Sequence, residues 1–248
     1  MPLREDSALR GDPGRQRTGR RPGLGVQDDD VDGSHEPSLA SGGWALARTI
    51  RTYVGLGANV GDAAGTIAAG IHALSTLPGA RLRGVSRLYA TKPVGVTDQP
   101  EFRNAVAVLD VPAGPDAATG AVALLIALKG IERAFGRQER ERWGPRELDL
   151  DLLVFGSHRI EVERPEAARS DDPAKPTDLV VPHRLAGERL FVLAPLADLA
   201  PGLVPPGWSE TVATARARRE AIEGADAVRP TARWSNGEWH PTRAPGER

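Results

Sequence analysis

The ten-residue run Arg142-Trp143-Gly144-Pro145-Arg146-Glu147-Leu148-Asp149-Leu150-Asp151 constrains this chain more than any other stretch. Gly144-Pro145 predicts a turn, because proline presets one backbone angle and glycine tolerates the others. The apolar run from Leu148 to Phe155, closed by Gly156, then predicts a strand. Alternation puts Asp149 and Asp151 on one face and Leu148, Leu150 and Leu152 on the other. Two carboxylates side by side on a half-buried strand repel each other and resist desolvation. A hard divalent cation resolves both problems, and Mg²⁺ takes one or two carboxylates together with phosphate oxygens. Arg142 and Arg146 lie just upstream, and guanidinium is suited to clamping phosphate. The combination points to phosphoryl-type transfer. The competing reading is a solvated strand whose aspartates pair with those arginines.

Composition narrows the setting. A chain of 248 residues with 40% hydrophobic content supports one or two domains and a sizeable core. A net charge of −1 does not form the basic footprint of a nucleic-acid binder. The absence of cysteine excludes disulfides and cysteine-ligated zinc. No apolar run is long enough to span a membrane, and the start shows no charged-then-apolar signal. Arg20-Arg21 is followed by Pro22-Gly23 and acidic residues, unlike a twin-arginine export signal. The expectation is a cytoplasmic protein with neither a membrane nor a nucleic-acid partner.

Residues 1–48 are rich in Arg, Asp, Gly, Pro and Ser and predict a disordered extension. A first strand runs from about Ile50 into Gly55-Leu56-Gly57-Ala58-Asn59-Val60-Gly61-Asp62. Its third glycine falls one place too late for a dinucleotide fingerprint, so the glycines are read as shaping a turn. Asp62 is placed to cap a helix with Ile67, Ile71, Leu74 and Leu77 on one face. A second strand is expected over Arg81 to Tyr89, then a loop from Thr91 to Pro100 of the kind that is usually functional. A third strand begins at Phe102 and carries Asn104 on the same face. An aromatic ring beside an amide can stack on and hydrogen-bond a flat heterocycle, although core packing explains Phe102 equally well. Asp116 caps a long helix with Leu124, Leu128, Ile131 and Phe135 on one stripe, closed by Gly136. A charged loop, Arg137 to Arg142, leads into the opening run. A short strand near Arg159 to Val162 is expected to pair back through the Gly156-Ser157-His158 turn. Residues 163–178 read as an inserted surface loop. Val180-Val181-Pro182-His183 precedes a helix from Arg184 to about Leu193. Residues 209–248 read as a charged, partly helical, largely disordered tail.

Four pieces in order carry a family resemblance: Tyr53 through Asp62, Asp98-Gln99-Pro100-Glu101-Phe102-Arg103-Asn104, Arg142 through Asp151, and Val181-Pro182-His183. Together they resemble 6-hydroxymethyl-7,8-dihydropterin pyrophosphokinase, an enzyme of folate biosynthesis, over about Thr49 to Val204, within a domain drawn at 49–208. The resemblance implies an α+β, ferredoxin-like fold, a four-stranded antiparallel sheet with helices packed on it. It implies an ATP-dependent diphosphokinase that acts as a monomer and transfers pyrophosphate to the pterin hydroxymethyl group, leaving AMP. It further implies two Mg²⁺ ions held by Asp149 and Asp151, and a triphosphate met by Arg137, Arg142 and Arg146. Lys129, Glu132, Trp143, His183 and Arg189 would line the nucleotide site. Phe102 and Phe191 would sandwich the pterin, with Asn104 and the backbone of Thr91 and Val94 reading its edge. The chain departs from the family pattern at Glu139, where a second arginine is common, and at Lys92, where a proline is common.

Two competitors follow from the same residues. A two-metal phosphodiesterase or nuclease could use Asp149 and Asp151, but it needs further clustered ligands, and the five histidines are scattered. A non-catalytic, nucleotide-binding ferredoxin-like module would have no need of paired aspartates. A P-loop kinase has no G-x-x-x-x-G-K-[ST] to support it.

Overall fold

The computed structural model describes residues 48–93, 98–136, 146–169 and 176–242. Expectations for residues 1–47, Val94, Arg137, Glu139, Arg142, Trp143 and the Gly144-Pro145 turn lie outside the described residues.

Strand β1 (Thr49–Ala58) leads into helix α1 (Ala63–Ser75). Gly61 turns the chain at φ 58°, and the Asp62 carboxylate accepts from the Gly65 amide at 2.9 Å. That bond satisfies an amide that the first helical turn leaves without an internal partner. Ile67, Ile71 and Leu74 are buried along one stripe of α1. The expected second strand is broken into β2 (Arg81–Val85) and β3 (Leu88–Thr91), both paired to β4 (Phe102–Pro112). The interruption has a visible cause. The Arg87 amide and guanidinium and the Tyr89 hydroxyl all turn to Asp198, with the Arg87 amide 3.0 Å from its carboxylate. Helix α2 (Ala117–Ala134), capped by Asp116, then delivers the chain to β5 (Asp149–Phe155). Gly136 leaves α2 at φ 77°, a conformation that glycine adopts without steric cost.

The antiparallel order β5-β1-β4-β3 is the core of the ferredoxin-like arrangement. On one sheet face Val54, Leu56 and Ala58 of β1, with Leu150 and Leu152 of β5, pack against α1 and α2. On the other, Val106 and Leu153 pack under helix α3 (Leu190–Leu199) and helix α4 (Val212–Glu223).

Further segments differ from expectation: the helix read from Arg184 to about Leu193 is a 3₁₀ turn at Ala186–Glu188 followed by α3 from Leu190 to Leu199. The strand β6 (Ile160–Glu163) does not fold back on β5. It pairs with β7 (Asp178–Val181) in a separate two-stranded ribbon, with Ile160 opposite Val181. The bases of the expected insertion loop are thus strands, and Glu166–Ala168 adds a single 3₁₀ turn. The flank of β5 is instead met by the His183 amide, which donates to the Leu153 carbonyl at 2.9 Å.

The presumption of a largely disordered tail from residue 209 is also corrected. After α4 the chain forms β8 (Val228–Ser235) and β9 (Glu238–Pro241), which extend the four-strand core and, with β2, make a seven-stranded sheet among the described residues. The cause is a hairpin turn at Asn236 and Gly237, with φ 52° and 86°. These are the positive angles that a two-residue hairpin demands and that Asn-Gly supplies. The strands look polar because most of their side chains are exposed or half-buried, while a register shift against β3 turns Val228 and Ala232 to opposite faces of the sheet, where Val228 is buried with Tyr89 and Ala232 with Leu88. Trp239 then reaches α1, donating to the Ala64 carbonyl at 3.1 Å. No helix among the described residues is long and apolar enough to cross a membrane.

Candidate active site

Pairing register assembles the site. Gly55 and Gly57 of β1 stand opposite Asp151 and Asp149 of β5, and Gly57 stands opposite Asn104 of β4. Directly opposed residues share a face, so both aspartates and Asn104 rise from the same side of the sheet, separated by a strip with no side chains. A Cβ at Gly57 would lie 3.2 Å from the Asn104 side-chain oxygen, so a side chain there would press on Asn104. The next residue along this face, Leu153, is 1% exposed beneath α3, so the open part of the sheet is confined to the aspartate end.

The carboxylates are held from two directions. Arg146 forms an ion pair with Asp149 through its guanidinium. Beneath the strand, Glu132 is 1% exposed, and its Oε1 accepts from the Leu150 amide at 2.7 Å and from Lys129 Nζ at 2.8 Å. Lys129 also donates to the Leu150 carbonyl at 3.3 Å. Helix α2 is therefore fixed to the one residue that separates the two aspartates. Glu132, expected to line the nucleotide site, sits behind the strand rather than on the open face.

At the outer edge of β5 lies a cleft lined by Lys129, Asp151, Arg164, Val180 and His183. His183 is set there by its amide bond to Leu153 and by its Nδ1, which accepts from the Leu185 amide at 3.3 Å. Arg164 was missed by sequence reasoning because it falls in the stretch read as an inserted loop. Its Nε donates to the Asp178 carbonyl at 3.1 Å. Burial pulls its guanidinium below the ordinary arginine value, and the charges of Asp151, Glu132 and Asp178 oppose that pull. A desolvated cation facing a carboxylate across a cleft suits an anionic ligand with a bound cation.

The second half of the site lies along β4 and α3. Asn104 and Thr91 are both buried, and the Asn104 amide donates to the Thr91 hydroxyl at 2.8 Å. The Thr91 backbone, expected to read a heterocycle edge, lies between β4 and β8, while its hydroxyl meets Asn104. Phe102 is on the Asn104 face two residues earlier. Phe191 lies on α3, the helix that covers this face, and the Arg189 guanidinium stands 5.6 Å from its ring centroid. That distance is a cation–π contact.

Asn59 is a second residue that sequence reasoning did not single out. It is 2% exposed and ties three segments together. Its Oδ1 accepts from the Arg146 amide at 2.8 Å, and its Nδ2 donates to Gln99 at 3.0 Å and to the Pro100 carbonyl at 3.2 Å. The signal available was its place at the end of a glycine-spaced strand.

Comparison with known proteins gives a consistent picture. A family model described as 7,8-dihydro-6-hydroxymethylpterin-pyrophosphokinase matches residues 53–201. A 2-amino-4-hydroxy-6-hydroxymethyldihydropteridine pyrophosphokinase of Methylorubrum extorquens is 40% identical over 173 residues, 70% of this chain and 97% of that protein. The protein of the same name from Pseudomonas aeruginosa is 43% identical over 156 residues, 63% of this chain and 84% of that one. Among solved structures, wild-type HPPK-DHPS of Plasmodium falciparum superposes with a TM-score of 0.59 at 12% identity, over 78% of this chain and 50% of that one. This last likeness concerns the fold alone, and the chain spans about half the length of that protein.

Proposed function

The chain belongs to the 7,8-dihydro-6-hydroxymethylpterin-pyrophosphokinase family, and from that premise we propose that it transfers pyrophosphate from ATP to 6-hydroxymethyl-7,8-dihydropterin. The pterin hydroxymethyl oxygen bonds to the β-phosphorus and gives up its proton. The bond from the β-phosphorus to the α,β-bridging oxygen breaks, and AMP leaves. The product is the pterin diphosphate of tetrahydrofolate biosynthesis. The observation that carries the reading is the shared sheet face of Asp149, Asp151 and Asn104, flanked by a cationic cleft on one side and an amide-and-aromatic group on the other. Neither a phosphodiesterase nor a non-catalytic module is favoured by the family match.

Two oxygen-donor carboxylates next to a side-chain-free strip fit Mg²⁺, which fills its remaining positions with water and phosphate oxygens. Asp149 and Asp151 are the residues that would hold two such ions, which supply charge neutralisation at the phosphates. The protein's own part is positioning and electrostatics. Arg146 orients Asp149. Lys129, Arg164 and Arg189 offer positive charge, and His183 a ring nitrogen, to the triphosphate and nucleotide. Asn104 presents an amide to the pterin edge, and Phe102 and Phe191 supply its two faces. Arg137, Arg142 and Trp143 are assigned to the triphosphate and nucleotide on their motif, as is Val94 to the pterin. The near-neutral, cysteine-free chain is assigned to the cytoplasm as a monomer acting on small molecules, without a nucleic-acid partner.

Incubation with ATP, Mg²⁺ and 6-hydroxymethyl-7,8-dihydropterin, followed by nucleotide chromatography, tests the proposal. The expected result is AMP formed only with pterin present and lost in Asp149→Ala, Asp151→Ala. ADP in place of AMP, or no nucleotide turnover at all, overturns it.

A further inference from the structure

We infer that the first two residues of β8, beyond the 53–201 stretch matched by the family, steady both aromatic side chains assigned to the pterin: Val228 acts through Phe191, and Arg229 through Glu101 on Phe102. This inference rests on the assignment of Phe102 and Phe191 to the two faces of the pterin.

The register supplies the geometry. Thr91 of β3 has Phe102 on one side and Val228 on the other, so these three share one cross-strand row and one face. That is the face of Asn104. Val228 is 9% exposed and belongs to a small apolar cluster with Tyr89, Leu190 and Ala194, against which Phe191 packs. Phe191 is half-buried and packs on the cluster to which this residue of the C-terminal hairpin belongs. Removing methyl groups there leaves the ring room to shift, because buried side chains settle into space their neighbours vacate.

The adjacent row faces the other way. Ala90 of β3 has Arg103 on one side and Arg229 on the other. Both guanidiniums reach Glu101, Arg229 at 2.8 Å and Arg103 at 3.3 Å. Ala90, with a single methyl group, leaves room for the two long side chains to converge. Those cations hold the Glu101 carboxyl below its ordinary value against the opposing effect of burial, the largest single influence on it. Glu101 immediately precedes Phe102 and follows Pro100, whose carbonyl accepts from Asn59. Arg229 thus fixes the residue that sets the entry of Phe102 into β4. Consecutive residues of a strand point to opposite faces, so one strand start reaches both aromatic residues by two independent routes.

These are positioning residues, since neither side chain is assigned a contact with substrate. The test is steady-state kinetics of Val228→Ala and Arg229→Ala in the full chain, with thermal unfolding to establish that each variant is folded. The expected result is a pterin KM raised roughly three- to tenfold in each, with the ATP KM within about a factor of two of wild type. Val228→Ile and Arg229→Lys are expected to recover most of the loss. A purely structural hairpin would instead move both KM values together, or neither, and either pattern in folded protein overturns the inference. If Val228→Ala does not fold, Arg229→Ala carries the test alone, because its side chain is half exposed. A wild-type protein that forms no AMP with pterin removes the functional reading and this inference with it. A wild-type protein that does, beside variants with unchanged pterin KM, removes only the inference.

Discussion

Asn59 and Arg146 are joined twice, once by the Arg146 amide to Asn59 Oδ1 at 2.8 Å and once by the Asn59 amide to the Arg146 carbonyl at 3.0 Å. The pair clamps the end of β1 to the segment that enters β5, three residues before Asp149. Asn59→Ala strips one of these bonds and two more to Gln99 and Pro100. Buried groups left without partners cost about 1–3 kcal/mol each, so a loss of about 2 kcal/mol or more is expected by urea denaturation. Displacement of Asp149 adds a fall in kcat on the order of tenfold. Asn59→Asp keeps the acceptor for Arg146 but loses the donor to Gln99, and is expected to fall between the two.

Asp149→Asn and Asp151→Asn separate chemistry from stability. Each is expected to lower AMP formation by on the order of 100-fold or more, through lost cation binding and charge stabilisation. Unfolding should change little, because both side chains are part-exposed and the Arg146 pair is worth about 1 kcal/mol at most. Titration with Mg²⁺ monitored by nucleotide binding should show weaker cation dependence in both variants. A strongly destabilised Asp151→Asn would assign that residue to the fold instead.

Glu132 should behave in the opposite sense. Glu132→Ala leaves the buried Leu150 amide and the Lys129 ammonium without the oxygen they share, a loss of about 3–5 kcal/mol by the cost of breaking a buried pair from one side. Glu132→Gln retains an acceptor for Leu150 and should lose less. Thermal unfolding of the two variants checks the order. Activity in folded Glu132→Gln should survive to a greater degree than in Asp151→Asn.

Acid stability should carry the mark of Asp110. Arg51 bonds its carboxylate at 2.5 Å and, with Arg83 nearby, holds the group below its usual 3.8, so folding favours the ionised form. A depressed carboxylate contributes stability above the unfolded value and loses it as pH falls through the folded one. Comparison of wild type with Asp110→Asn should therefore show a constant difference of roughly 0.5–1 kcal/mol from pH 5 to 8. The difference should shrink below about pH 4. A gap that widens in acid would contradict the sign.

Much of this site could be read from local pattern. Asp62 and Asp116 cap the helices they precede, and the Asp149/Asp151 alternation places both carboxylates on one face, because those features depend on residues only a few positions apart. What stayed hidden depends on partners distant in sequence. Arg164 reaches the cleft only because β6 pairs with β7 across the stretch read as a loop. Asn59 matters through Arg146, and the break at Ser86 and Arg87 through Asp198. The C-terminal hairpin was legible in principle at Asn236-Gly237, but its strands are half solvated and its buried residues are few, so the charged composition dominated the reading.

The added hairpin also determines which strand of the sheet ends in solvent. A protein stopped at Pro201, where the family match ends, would leave β3 without β8. All four β3 residues, Leu88 to Thr91, are buried in the full chain. Their freed amides and carbonyls would form a short, largely apolar template for another chain, the situation that natural sheets avoid at their borders. Shortening this protein to the length of its family core would therefore produce self-association before it revealed anything about catalysis.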